Sequence, residues 1–229
     1  MKLSTISAFV FMLFLMGATA QAQTETRTPG DFTKVTSSGS WDVYITIGDK
    51  DEVKLVSKGF DLSQVITEVE DGSLEIKLEK GRHNNVNFTA YVTVRELESV
   101  GLSGSGHMEI ESDISSRSFA IGTSGSGDIK MQQLEARSLF VGMSGSGKVI
   151  IEGGSCENAN IGQSGSGSFD ALDLMAGDVK IGKSGSGATS IGVTGDLKVG
   201  ASGSGNVYIK GNPTSQSIGS SGSARIIRK

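Results

Sequence analysis

The tetrapeptide Ser-Gly-Ser-Gly recurs at positions 103–106, 124–127, 144–147, 164–167, 184–187 and 202–205, and a decayed copy, Ser221-Gly222-Ser223-Ala224, closes the series. A glycine stands two residues before each copy: Gly101, Gly122, Gly142, Gly162, Gly182, Gly200 and Gly219. The steps between them are 21, 20, 20, 20, 18 and 19 residues. Self-similarity at a fixed period of about 20 residues is the mark of a repeat architecture, so this spacing limits the fold before any other feature does. A relative of the motif, Ser38-Gly39-Ser40-Trp41, stands far upstream.

The segments on either side of each motif alternate apolar and polar. Phe119/Ile121, Leu139/Val141 and Val179/Ile181 precede it, and Met108/Ile110, Ile129/Met131 and Val149/Ile151 follow it. A period of two means strands with one buried face. Two short strands about a Gly-rich corner are what one coil of a parallel β-solenoid requires, and coils stacked about 4.8 Å apart build a continuous core that none builds alone. An antiparallel meander is the competing fold, but a corner at constant phase favours like stacked on like. A left-handed solenoid of hexapeptides fits badly, because Gly127 and Gly147 stand six residues after Ile121 and Val141. The expected fold is therefore all-β: a right-handed parallel β-helix with coils of roughly 20 residues. At the corner, glycine supplies backbone angles closed to other residues, and the serine hydroxyls are expected to bond spare backbone groups and one another.

Residues 32–98 lack the period but keep the alternation. Strands are expected at 41–47, 52–57, 65–70, 74–78 and 88–94, with Asp71-Gly72 as a hairpin turn. This region is either an antiparallel cap or a set of degenerate coils, and residues 99–229 form the repeat solenoid. Residues 1–22 read as a signal peptide: Lys2, an apolar run from Ile6 to Met16, then Ala18-Thr19-Ala20 and Ala20-Gln21-Ala22 as small-x-small cleavage sites. No cysteine at that boundary offers a lipid anchor. Residues 23–31 are expected to be flexible. The mature chain should carry no transmembrane segment and reach the periplasm, the outer-membrane surface or the medium.

The Ile/Val-Gly-x-Ser-Gly-Ser-Gly units, the strand Gly72-Ser73-Leu74-Glu75-Ile76 and the closing Val207-Tyr208-Ile209-Lys210-Gly211-Asn212-Pro213 resemble one bacterial family, the putative auto-transporter adhesin, head GIN domain family. The likeness runs from about Phe32 to Ile227. It implies an exported β-helical protein with an adhesin role and transfers no catalytic or ligand residue. Because the sequence stops at Lys229, a translocating barrel is not expected in this polypeptide.

The residues argue against chemistry. A serine hydrolase needs a base, and the histidines are only His83 and His107; His107 follows Gly106 near Ser105, with Asp113 nearby. Glycan cleavage needs paired carboxylates, whereas Asp128, Asp170, Asp173 and Asp178 are scattered in phase. Glu68, Glu70, Asp71 and Glu75 read as a solvated hairpin surface. The corner carries serine where calcium-binding repeats carry aspartate, and no helix follows it to hold a phosphate. Cys156 reads as a small residue at a coil turn and excludes a disulfide framework. The net charge of −4 makes nucleic acid an unlikely partner. No catalytic residue, metal or cofactor is expected, and no binding residue is assigned.

One column points to binding. By strict alternation Gly101, Gly122, Gly142, Gly162, Gly182 and Gly200 fall on the parity opposite Ile121, Val141 and Ile161, which puts a side-chain-free stripe on the outer face. Such a stripe lets a sugar ring, a peptide strand or a second copy come close; the plainer explanation is that these glycines serve a bulge or corner. The expected function is a non-enzymatic exported protein for adhesion or surface interaction, its partner a cell-surface glycan or protein, with homo-oligomerisation compatible. The alternatives are a periplasmic or envelope scaffold without an adhesive ligand and, remotely, a glycan hydrolase.

Overall fold

A computed structural model describes residues 22–229; the expected leader, except for Ala22, lies outside the described residues. Among the described residues, stacked parallel coils of about 20 residues form a β-solenoid of about six turns. Its strands in the repeat region are β8 (Ser99–Gly104), β9 (His107–Ile110), β10 (Ile114–Gly125), β11 (Asp128–Gly145), β12 (Lys148–Gly165), β13 (Ser168–Gly185), β14 (Thr189–Val193), β15 (Asp196–Gly203), β16 (Val207–Lys210), β17 (Ser215–Gly222) and β18 (Ile226–Arg228). Every pairing among them is parallel, which removes the meander.

A coil has three straight runs, one more than the alternation foretold. In β11 the inward residues are Ile129, Met131, Leu134, Ala136, Leu139, Val141 and Met143. Steps of three, Met131 to Leu134 and Ala136 to Leu139, interrupt the step of two and mark bends. The runs are thus 128–131, 133–136 and 138–145, and each pairs with its equivalent in the next coil. The middle run is too short to display a period. It carries Cys156, which is not at a turn: it lies inward on β12 between Ala136 and Ala176, 6% exposed. The 18-residue step between Gly182 and Gly200 is absorbed in the same region, where the register between β13 and β14 shifts at Ala171/Met175.

The corner works through backbone. The first motif glycine has positive φ in every copy, for instance +115° at Gly104 and +126° at Gly185. Its carbonyl accepts two amides from the coil above: Ser126 N–H and Gly127 N–H donate to Gly104 O at 2.8 and 2.9 Å, and Ser166 N–H and Gly167 N–H donate to Gly145 O at 2.9 Å each. The serine hydroxyls do not take this role as expected. One hydroxyl pair is within reach, Ser186 Oγ to Ser204 Oγ at 3.3 Å, because the amides have already satisfied the carbonyls. The second motif glycine is needed for space: a Cβ at Gly127 or Gly147 would collide with the carbonyl oxygen of Gly106 or Gly127 below.

The N-terminal region combines both expected alternatives. It holds β1 (Ala22–Arg27), β2 (Lys34–Gly39), β3 (Asp42–Ile47), β4 (Glu52–Lys58), a 3-10 turn at Leu62–Gln64, β5 (Val65–Glu70), β6 (Ser73–Leu78) and β7 (Phe88–Val94). β2 and β3 are a true coil, with Ser38 and Gly39 in register with Ser103 and Gly104. That coil lies between β6/β7 on one side and β8/β9 on the other, so the order in space departs from the order in sequence. β5 pairs antiparallel with β6, β4 with β7 and β1 with β4. Asp71 (φ 49°) and Gly72 (φ 71°) make the expected hairpin turn. Trp41 takes the place of a second motif glycine because no corner lies below it; its ring stacks on Phe88 at 4.8 Å, and Phe60 stacks on Phe88 in turn.

Residues 23–31 depart from the flexibility expected of them, since they contain most of β1. The strand is in register from Ala22↔Lys58 to Arg27↔Val53. The Arg27 guanidinium donates to Leu62 O at 2.8 Å, Val65 O at 2.5 Å and Thr67 Oγ1 at 3.2 Å, tying β1 to the turn at 62–64 and to β5.

Stacking is what makes a coil stable. Ile129, Met131, Leu134, Leu139, Val141 and Met143 of one coil are all buried, and they are so because coils lie on either side of them, each paired along its ladder.

Candidate functional site

The motif-bearing run of each coil presents parallel columns of outward side chains. One is serine throughout: Ser38, Ser103, Ser124, Ser144, Ser164, Ser184, Ser202 and Ser221 stand in register. The next begins with Thr36 and continues with the glycines from Gly101 to Gly219. None of these glycines has positive φ. A Cβ at Gly122, Gly142, Gly182 or Gly219 would meet nothing within 4 Å. At these four positions neither a corner nor a bulge nor packing calls for glycine, whereas a Cβ at Gly101 would press on Thr36 Cγ2 at 3.0 Å; the column faces solvent as alternation required. It forms the floor of a shallow trough along the rod.

The far side of the trough is the column Ala120, Phe140, Asn160, Lys180, Lys198 and Ser217. Phe140 is 48% exposed. It stands between two concavities: one of about 460 Å³ over Gly122, Gly142 and Gly162, and one of about 470 Å³ reaching to Lys198 and Ser217. The second also takes in the outermost column, Ser138, Asn158, Asp178, Asp196 and Ser215. Asp178 Oδ1 accepts the Asp196 N–H at 2.8 Å, and Asp196 Oδ1 accepts the Thr214 hydroxyl at 3.1 Å. Among the described residues, Lys180 and Lys198 form no ion pair.

The residues weighed for chemistry are dispersed. His107 lies on β9 with Nε2 3.8 Å from Glu109, and no hydrogen bond joins it to Ser105 or Asp113 among the described residues. His83 sits in the cap, Nδ1 2.7 Å from Gln64 Oε1 and Nε2 2.7 Å from Glu79 O, with its ring edge-on to Phe60. Asp128 accepts the Lys148 N–H at 2.7 Å, Asp170 pairs with Lys148 at 3.5 Å, and Asp173 pairs with Lys210 at 2.5 Å. Glu68 and Glu75 both flank Lys77 at the hairpin, where Glu70 and Asp71 also lie. Burial, with the Glu135 carboxylate adding to it, pushes the Cys156 thiol up to about 11, far from a reactive thiolate. Among the described residues, no cluster of three metal-ligating side chains occurs and no helix is long and apolar enough to cross a membrane.

Comparison with known proteins places this geometry. The sequence model of the family described as "putative auto-transporter adhesin, head GIN domain" matches residues 31–213. The chain belongs to that family. Solved structures share this fold. One described as a putative adhesin from Bacteroides fragilis aligns with a TM-score of 0.84 at 22% identity, over 91% of this chain and 97% of its own. A putative adhesin from Parabacteroides distasonis gives 0.72 at 20%, over 91% and 98%. A protein from the same species described as a putative lipid binding protein gives 0.66 at 24%, over 90% and 96%. Comparison with curated protein sequences finds no match. The descriptions of these structures differ, and a fold by itself does not fix a ligand.

Within this head GIN domain the sequence reading located the glycine floor and missed its wall. Phe140, Lys180 and Lys198 belong to separate coils and look unrelated in a linear reading. Sampling the chain at the coil step, from Ala120 through Phe140, Asn160 and Lys180 to Lys198, brings them out.

Proposed function

We propose that this chain is an exported, non-catalytic β-solenoid that acts in adhesion or surface interaction, with the glycine-floored face as its contact surface. The carrying observation is the open space over Gly122, Gly142 and Gly182. Glycine at those positions serves neither fold nor packing, so it serves approach from outside. The family description and the signal-peptide pattern read in residues 1–22 support a location beyond the inner membrane, where a rigid rod with an unobstructed face has surfaces to meet.

The test places side chains on the floor. A Gly142→Val, Gly162→Val, Gly182→Val triple variant keeps its circular dichroism spectrum and loses attachment of protein-coated beads to intact cells and to glycan arrays. Attachment equal to the parent chain overturns the assignment of the face. Protease shaving of intact cells separates adhesion from an internal scaffold: a surface protein is cleaved, and a chain that survives until the outer membrane is breached is a scaffold.

A further inference from the structure

We infer that the groove beside Phe140 takes an anionic oligosaccharide running along the rod axis, one sugar ring stacked on Phe140 and its acidic groups on Lys180 and Lys198. The inference rests on the reading of this face as a contact surface and names its ligand class. Three features carry it.

Phe140 is the one large apolar side chain in its column, half exposed, and pairs with no other ring among the described residues. An open aromatic face beside a polar trough offers the flat apolar contact that the C–H face of a sugar matches. Lys180 and Lys198 stand directly in register on neighbouring coils. Like charges so placed repel, and an anion seated across both relieves them. Among the described residues neither lysine forms an ion pair with Asp178 or Asp196, which line the outer side of the same groove with Oδ1 engaged by the Asp196 amide and the Thr214 hydroxyl. Asn160, between ring and cations, can both donate to and accept from sugar hydroxyls. Coils about 4.8 Å apart thus present aromatic, amide, ammonium and ammonium in line, at a spacing comparable to that of successive sugars.

A peptide is the poorer occupant. Main-chain recognition of an extended peptide needs a free strand edge, and the strands lining this groove are paired on both sides by their neighbouring coils.

The experiment is affinity electrophoresis of the whole protein through polygalacturonate, alginate and polysialic acid, with dextran as the neutral polymer. At least one acidic polymer retards the protein and dextran does not. Phe140→Ala weakens that retention at least tenfold at an unchanged circular dichroism spectrum. Lys180→Gln/Lys198→Gln does the same and removes most of its dependence on salt. Retention by dextran equal to that by the acids, no retention by any of the three, or retention indifferent to Phe140→Ala overturns the inference. These outcomes separate from those of the adhesion reading. Beads that attach through the glycine floor while the protein ignores all three polymers remove the ligand and leave the surface. Polymer binding by a protein never exposed on cells removes adhesion and leaves the groove.

Discussion

Lys183 is a cation enclosed by an apolar rod. It stands in the inward column of Met143 and Gln163, is 5% exposed, and its ammonium donates to Gly187 O and, at 3.4 Å, to Asn206 O. Gln163 bridges corner carbonyls in the same way one coil below, and Thr189 donates to it. Burial pulls the Lys183 ammonium below the ordinary lysine range. The sign follows directly: between that lowered value and the unfolded value of about 10.4 the unfolded chain binds more protons, so stability rises with pH across the window. Lys183→Met, which copies Met143, should flatten that alkaline slope while the protein stays folded, as urea midpoints from pH 7 to 10.5 would report. An unchanged slope would show that another group carries it. Lysine in a run of Ser, Gly and Ile gives no linear sign of burial; its inward parity appears only once the motif has fixed the phase of the strand.

The corner is where sequence and geometry agree most closely, and its glycines fall into three kinds. The first motif glycine answers a positive φ, the second answers the carbonyl beneath it, and the preceding column answers neither. Gly147→Ala should therefore cost about 1–3 kcal/mol as an overpacked contact, whereas Gly142→Ala should stay within about 0.5 kcal/mol. Thermal melts of the two variants test this, and equal losses would refute the distinction. What could be read in advance was whatever repeats often enough to show a phase: the corner, its parallel stacking and the outward parity of the glycine column. The middle run escaped notice because three or four residues, such as Gly154-Ser155-Cys156, cannot display a period. The Phe140 wall escaped because its members share a column and, apart from Lys180 and Lys198, no residue type. The strands β3 to β7 were legible from alternation, but β1, β2 and the interleaving were not, since they depend on contacts between β1 and β4 and between β2 and strands far along the chain.

At the scale of the whole molecule the coils are interchangeable and the cap is not. Each coil from β10 to β13 touches the one before and the one after in the same register. Deleting residues 146–165 joins Gly145 to Ser166, which are already equivalent to neighbours one coil apart. The product should fold, keep its β spectrum and be shorter by about one 4.8 Å spacing, as X-ray scattering would measure. Deleting 34–53, the same number of residues, removes β2 and β3 from between β6/β7 and β8/β9 and should abolish folding. If both deletions fold, the cap is no more than further coils.

The lacing of the first coil also sets a schedule. The Ile47 N–H donates to the Ser112 hydroxyl, 65 residues along, and β8 closes over β2 across a similar distance. A polypeptide emerging N-terminus first, whether from a ribosome or through a narrow pore, has no lid for its opening rung until that later stretch arrives. Until then it travels as thread; afterwards each further loop clicks onto the last.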